Sequence, residues 1–275
     1  MDERTPAPNA DRLAAWRVEP PGIPRPRLSI ILPAKDEAER LPKTVREILA
    51  HPWQDISYEV WVVDDGSRDA TAAVVRDWQG DYPQLGLISY QPNRGKGHAL
   101  KQGILQARGE VILLADADGA TPIEEIWRLW PHLSASHRIV IGSRVLSSRE
   151  TAVKTRWHRK LIGWIFVRLV QWLVIEGIYD TQCGFKLLEA KAAQDIARHL
   201  TLDGFGVDVE LLMIAKRRQY GIREVPINWV NQPGSKVHLL RDGFKMLLEI
   251  LAIRRKASQG LYERALPQNR EQVPQ

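Results

Sequence analysis

Five short apolar runs punctuate the first half of the chain, and each is closed by polar residues. They cover 28–32 (LSIIL), 58–63 (YEVWVV), 85–90, 111–115 (VILLA) and 138–141 (RIVI). Near-continuous apolar runs of this length suit strands buried on both faces. Between them lie stretches with helical spacing of apolar positions, at 41–50, 70–78, 98–107 and 123–133. Strand and helix in alternation predict an α/β fold with a doubly wound, mostly parallel sheet and flanking helices. In such sheets ligands bind beyond the carboxyl ends of the strands. The polar segments that close the runs are therefore the candidate site.

Composition narrows the class. The 275 residues are 44% apolar and 26% charged, ordinary values for a folded chain. Six prolines between Pro6 and Pro26 make 1–27 a tail, and polar 266–275 reads as a second one. No apolar core of signal-peptide length lies near Met1. Cys183 is the single cysteine, which excludes an intrachain disulfide and a Cys-based zinc site. The excess of 39 Lys and Arg over 33 Asp and Glu points to an anionic partner. Nucleic acid is not expected, because the basic residues gather beside apolar, Trp-rich helices and not along a polar groove.

The segments after the runs share a chemistry. They read Pro33-Ala34-Lys35-Asp36-Glu37, Asp64-Asp65-Gly66-Ser67-Arg68-Asp69, Asn93-Arg94-Gly95-Lys96-Gly97, Asp116-Ala117-Asp118-Gly119 and Gly142-Ser143-Arg144. Taken singly, Asp, Asn and Gly are what turns and helix caps require. Five such segments on one sheet edge form a rim of carboxylates, glycine turns and cations. Two nucleotide-binding alternatives fail on inspection. A dinucleotide fingerprint needs glycines after the first strand, where Ala34-Lys35-Asp36 stands. A Walker A loop needs Gly and Ser/Thr where Tyr90 and Gly97 stand. Asp116 and Asp118, two residues apart as they leave a buried strand, can hold one hard cation from one side. Mg²⁺ or Mn²⁺ would complete its shell with diphosphate oxygens and neutralise a leaving group.

Those segments, with Asp180-Thr181-Gln182-Cys183-Gly184-Phe185-Lys186 and Asp208-Val209-Glu210, resemble the family 2 glycosyltransferases of the GT-A fold. The similarity is greatest to the polyprenyl-phosphate sugar synthases of the dolichyl-phosphate glucose type. It implies a GT-A domain over 28–236. Within it 28–145 is the nucleotide-sugar half, 150–178 an interfacial helical segment and 180–236 the acceptor half. An amphipathic C-terminal helix over 237–265 follows. By resemblance Pro33, Lys35, Glu37, Asp65, Lys96, Asp116 and Ala117 meet the nucleotide, with Asp65 on uracil or ribose. Asp116 and Asp118 take the metal, and Asp118, Arg144 and Asp208 are the catalytic set. Arg144, Arg149, Lys186 and Lys236 meet the acceptor phosphate. Ala120 departs from the mannose-type pattern, which often has a ligating Gln there. The implied reaction is inverting, metal-dependent transfer of glucose from UDP-glucose to a polyprenyl phosphate. The alternatives are another nucleotide sugar such as GDP-mannose, a hydroxyl acceptor, or a non-catalytic nucleotide-sugar-binding module. A hydroxyl acceptor needs a general base, for which Asp208 and Glu210 are the candidates. A lipid phosphate, with a second pKa of about 6, needs cations instead.

Contact with a membrane surface is expected on separate grounds. Residues 161–175 are apolar apart from Arg168 and Gln171, but a spanning helix needs roughly 20 residues. A charge at mid-span would also cost about 2.5–3.5 kcal/mol. Trp157, Trp164, Arg168 and Trp172 share one helical stripe, beside Arg156, Arg159 and Lys160. Trp and Arg together suit a helix in the headgroup layer, and a buried core helix is the alternative. Leu240, Phe244, Leu247, Leu248 and Leu251 form a second apolar face with five nearby cations. Relatives of the glucose type often carry an N-terminal anchor, which this sequence lacks. Peripheral attachment at the cytoplasmic face through these two segments, aided by a homo-oligomer, is the expectation.

Overall fold

The computed structural model describes residues 25–146, 148–154, 175–232 and 239–263. The expected alternation forms β1 (Leu28–Ala34), α1 (Leu41–Ala50), β2 (Tyr58–Asp64), α2 (Thr71–Gln79) and β3 (Leu85–Ser89). It continues through α3 (Lys96–Gln106), β4 (Val111–Leu114), α4 (Ile126–Leu129) and β5 (Ile139–Ser143). Then come β6 (Val153–Lys154), β7 (Lys186–Glu189), α5 (Ala190–His199), α6 (Val207–Arg217), β8 (Ile222–Pro226), β9 (Trp229–Val230) and α7 (Leu239–Ser258).

Among the described residues seven strands make one sheet in the order β3-β2-β1-β4-β7-β5-β8. All neighbours are parallel except at β7, which runs antiparallel to both β4 and β5. Strand β7 went unread in the sequence, because Lys-Leu-Leu-Glu is too short to show a period. Its register sets Lys186 beside Leu114 on one side and Ile141 on the other. That pairing carries residues 180–186 to the ends of β4 and β5. The pair β6 and β9 forms a separate two-stranded sheet.

Side chains alternate across the sheet, as strand geometry demands. Ile31, Val63, Leu114 and Ile141 face α3, α5, α6 and α7. Ile30, Leu32, Val62, Leu113 and Val140 face the opposite layer, built on α1 and α4. Helices on both faces explain why these strands are apolar throughout. The helix expected over 123–133 is instead broken into a 3₁₀ turn, the short α4 and a second 3₁₀ turn. Pro131 lacks the amide hydrogen that a continuous helix needs there. Helix α3 begins two residues earlier than expected, capped by Gly95, so Lys96 is its first residue.

Candidate active site

The rim forms at the carboxyl ends of β1, β2, β4 and β5. Beyond β4, Ala115 still bonds Ile31 of β1, and the chain then turns at Gly119. The hydroxyl of Thr44 on α1 donates to the Ala117 carbonyl at 2.9 Å and pins the turn. Ala117 is 4% exposed, so its methyl points inward and the carboxylates on either side point out. Ala117, expected beside the nucleotide, here spaces the acidic pair. The Asp116 and Asp118 side chains are 41% and 30% exposed. Asp118 accepts the Ala120 amide at 3.0 Å. Burial and the charge of Asp116 hold its carboxyl above the ordinary aspartate range.

A chain of alternating charges runs inward from this pair. The Lys96 ammonium lies 3.1 Å from Asp116 Oδ1 and 3.1 Å from Asp208 Oδ2. Burial works against its charge, but the two carboxylates outweigh it and raise its pKa. Asp208 also binds Lys186, whose ammonium in turn donates to the Cys183 carbonyl. Burial pushes the Asp208 carboxyl up, yet Lys186 and Lys96 pull it down to a net lowering. Lys186 is 0% exposed. Its expected place on the acceptor phosphate is corrected accordingly: its charge is spent neutralising Asp208.

Two more expected contacts resolve into scaffolding. Asp65 is 4% exposed, and it accepts from the Asn93 side chain and, at 2.8 Å each, from the Arg94 and Gly95 amides. Its carboxylate shapes the loop that delivers Lys96, at the end of β2 where the contact with uracil or ribose is expected. Glu210 is 0% exposed and holds Thr201, Leu202 and Tyr262, so it cannot serve as a base.

The remaining expected residues lie as follows. Pro33 and Lys35 are half-buried at the end of β1, with the Lys35 ammonium 3.3 Å from the Gly66 carbonyl. Glu37 pairs with Arg40. Arg40 also stands 3.8 Å from Asp118 and was missed in the sequence, although its spacing of three from Glu37 was a signal. Arg144 donates its Nε and Nη2 to Asp180 at 2.8 Å each and lies over the Trp229 ring. Burial opposes the guanidinium charge, but Asp180 prevails and raises its pKa. Arg149 is exposed on the loop after β5. Lys236, Trp157, Trp164, Arg168 and Trp172 fall outside the described residues.

A divalent cation fits the acidic pair. Among the described residues no group of three His, Cys, Asp or Glu could hold one. Two half-exposed carboxylates suit a hard ion that draws its other ligands from a diphosphate and water. Gly184 keeps that space open: a Cβ there would stand 2.1 Å from Asp116 Oδ2 and 2.4 Å from its Cγ.

Residues 29–196 match the profile described as Glycosyl transferase family 2. The chain belongs to glycosyl transferase family 2. Among similar proteins is the dolichyl-phosphate beta-glucosyltransferase of Homo sapiens, 37% identical over 231 residues, 78% of this chain and 70% of that protein. The Saccharomyces cerevisiae dolichyl-phosphate beta-glucosyltransferase is 32% identical over 254 residues, 86% of this chain and 76% of that one. The fold is GT-A, as in mannosyl-3-phosphoglycerate synthase from Rubrobacter xylanophilus. That structure has a TM-score of 0.62 at 21% identity, covering 88% of this chain and 77% of its own. Mycobacterium tuberculosis glucosyl-3-phosphoglycerate synthase, crystallised with Mn²⁺, UDP-glucose and phosphoglyceric acid, has a TM-score of 0.60. It is 18% identical, covering 92% of this chain and 86% of its own.

This family 2 glycosyltransferase should tolerate Gly184→Ala as a fold but not as a catalyst. The added methyl displaces Asp116 from Lys96, and a misplacement of that order costs roughly 100-fold in turnover. Turnover assays beside a thermal melt check it: wild-type turnover would show that Asp116 is not needed where it stands.

Proposed function

We propose that the protein transfers glucose from UDP-glucose to a polyprenyl phosphate at a membrane surface, with inversion and with Mg²⁺ or Mn²⁺. The observation that carries this reading is the state of the carboxylates. Asp208 is neutralised by two lysines and Glu210 is sealed, so neither candidate can take a proton from a hydroxyl acceptor. A phosphate monoester needs no such base, being largely ionised at neutral pH with a second pKa of about 6. The names of the relatives, dolichyl-phosphate beta-glucosyltransferases at 32–38% identity, support glucose and a lipid phosphate.

In this reading a phosphate oxygen of the lipid attacks the anomeric carbon as the bond to the UDP β-phosphate breaks, and UDP carries the charge away. Asp116 and Asp118 would hold the metal, which neutralises the diphosphate when bound. Lys96 adds a fixed cation beside Asp116, and Arg144, set by Asp180 and Trp229, would face a phosphate. Pro33, Lys35 and Glu37 would border the nucleotide. Attachment would be peripheral and at the cytoplasmic face, and the peripheral part draws support from α7. It exposes Leu248 and Leu251 (52% and 46%) among Lys245, Arg254 and Arg255. No helix among the described residues is long and apolar enough to cross a membrane.

The test is transfer from radiolabelled UDP-glucose to polyprenyl phosphate in vesicles, with Mn²⁺ present and GDP-mannose as a rival donor. Lipid-extractable glucose is the expected product. Label that reaches only water or a soluble hydroxyl would defeat the proposal.

A further inference from the structure

The Asn93-Arg94-Gly95-Lys96-Gly97 segment owes its glycines to a close approach. A Cβ on Gly95 would stand 2.2 Å from the Asp203 carbonyl oxygen, and one on Gly97 2.2 Å from that of Leu202. The Gly97 amide donates to Asp203 O at 2.8 Å. The backbone of 202–203 thus lies flat against the first turn of α3, and only glycines on both sides of Lys96 allow it. The same loop continues into Gly206, which caps α6, the helix that carries Asp208. One loop therefore seats both Lys96 and the carboxylate that anchors it.

That loop is held from outside by one residue of α7. Glu249 Oε2 accepts the Gly206 amide at 2.7 Å. A Cβ on Gly204 would stand 2.1 Å from Glu249 Oε1, and one on Gly206 2.8 Å from Oε2. The carboxylate thus fills the space that two glycines leave. Helix α7 is itself firmly seated. Ile250 and Ile253 are fully buried, and Lys256 bonds the Thr201 hydroxyl at 2.5 Å. Met246, three residues before Glu249, receives the side-chain amide of Gln182, from the loop that carries Gly184.

We infer that Glu249 is a positioning residue of the active site, which holds loop 202–206 and through it sets Lys96 between Asp116 and Asp208. The inference rests on the reading above in one respect, that Lys96 serves the leaving diphosphate. Among the described residues Glu249 bonds Gly206 and lies against Gly204, both in this loop, so its effect on the site runs through the loop.

Two measurements test it, and they separate it from the proposed function. The first is amide exchange in the protein without nucleotide. Glu249→Ala should speed exchange across 95–98 and 203–208 by about ten-fold or more, the worth of a hydrogen bond to a charged group, whereas Glu249→Gln, which can still accept the Gly206 amide, should stay near wild type. Unchanged exchange across 95–98 in Glu249→Ala overturns the inference whatever the enzyme's substrate. The second is UDP affinity with Mn²⁺, read as a double-mutant cycle with Lys96→Ala. Glu249→Ala should weaken UDP about ten-fold in the wild-type background and under two-fold in the Lys96→Ala background. Equal losses in both backgrounds would show that Glu249 acts without Lys96 and refute the assignment. A wild-type protein that binds no UDP would instead overturn the proposed function and leave the exchange result to decide Glu249.

Discussion

Asp118→Asn is expected to lower glucosyl transfer by about 10³-fold or more, equivalent to about 4 kcal/mol of transition-state stabilisation. The amide cannot supply the anionic oxygen that a hard cation requires, and Asp116 is already shared with Lys96. The fold should not suffer. Burial and Asp116 hold the Asp118 carboxyl above its ordinary range. The folded state thus binds this proton more tightly than the unfolded chain. Its stabilising effect is therefore present in acid and is lost as pH rises through the raised value, so at neutral pH the charge opposes folding. Neutralising it should leave the melting temperature equal or slightly higher. The same sign applies to activity: metal-dependent UDP binding should fall on acidification already above the ordinary aspartate range. Turnover within ten-fold of wild type in Asp118→Asn would remove the acidic pair from the mechanism.

Asp208→Asn is expected to destabilise the protein by about 3–5 kcal/mol, the cost of leaving one partner of a buried ion pair alone. Lys186 has no exposed surface, its other hydrogen bond goes to a carbonyl, and the carboxylate that also feels its charge, Asp180, is already bonded to Arg144. The melting temperature should drop by roughly 10 °C. Lys186→Met combined with Asp208→Asn removes both charges and should recover more than half of that loss. Activity should stay low in the double variant, because Lys96 keeps Asp116 but loses its inner anchor. The two readouts separate the structural role of Lys186 from the role of Lys96 at the rim. A single Asp208→Asn protein that melts like wild type would contradict the buried pair.

Arg40 and Glu249 show why parts of the site were hidden in the sequence. Arg40 meets Asp118 only because α1 packs beside the end of β4. Glu249 lies more than 150 residues from Lys96 in the chain and acts through a loop between them. Neither belongs to a local pattern that marks its partner. Lys186 misleads in the opposite sense: its motif points to the acceptor phosphate, and the short strand that encloses it shows no period of its own.

By itself the chain's pattern determined the five strands that open the fold, their parallel run, and the rim where they end. Those features are local: buried strands must be apolar throughout, and the turns that leave them need Asp, Asn and Gly. The spacing of Asp116 and Asp118 belongs to the same class, since one inward alanine turns both carboxylates out. The tertiary structure decided which charges remain available. Insertion of β7 between β4 and β5 buried Lys186, set Gly184 against Asp116 and tied Arg144 to Asp180. A four-residue strand that pairs with a partner some 70 residues earlier has no period of its own to betray it. Its place follows from the sheet it completes, and with it the difference between a cation that meets substrate and one that holds the fold.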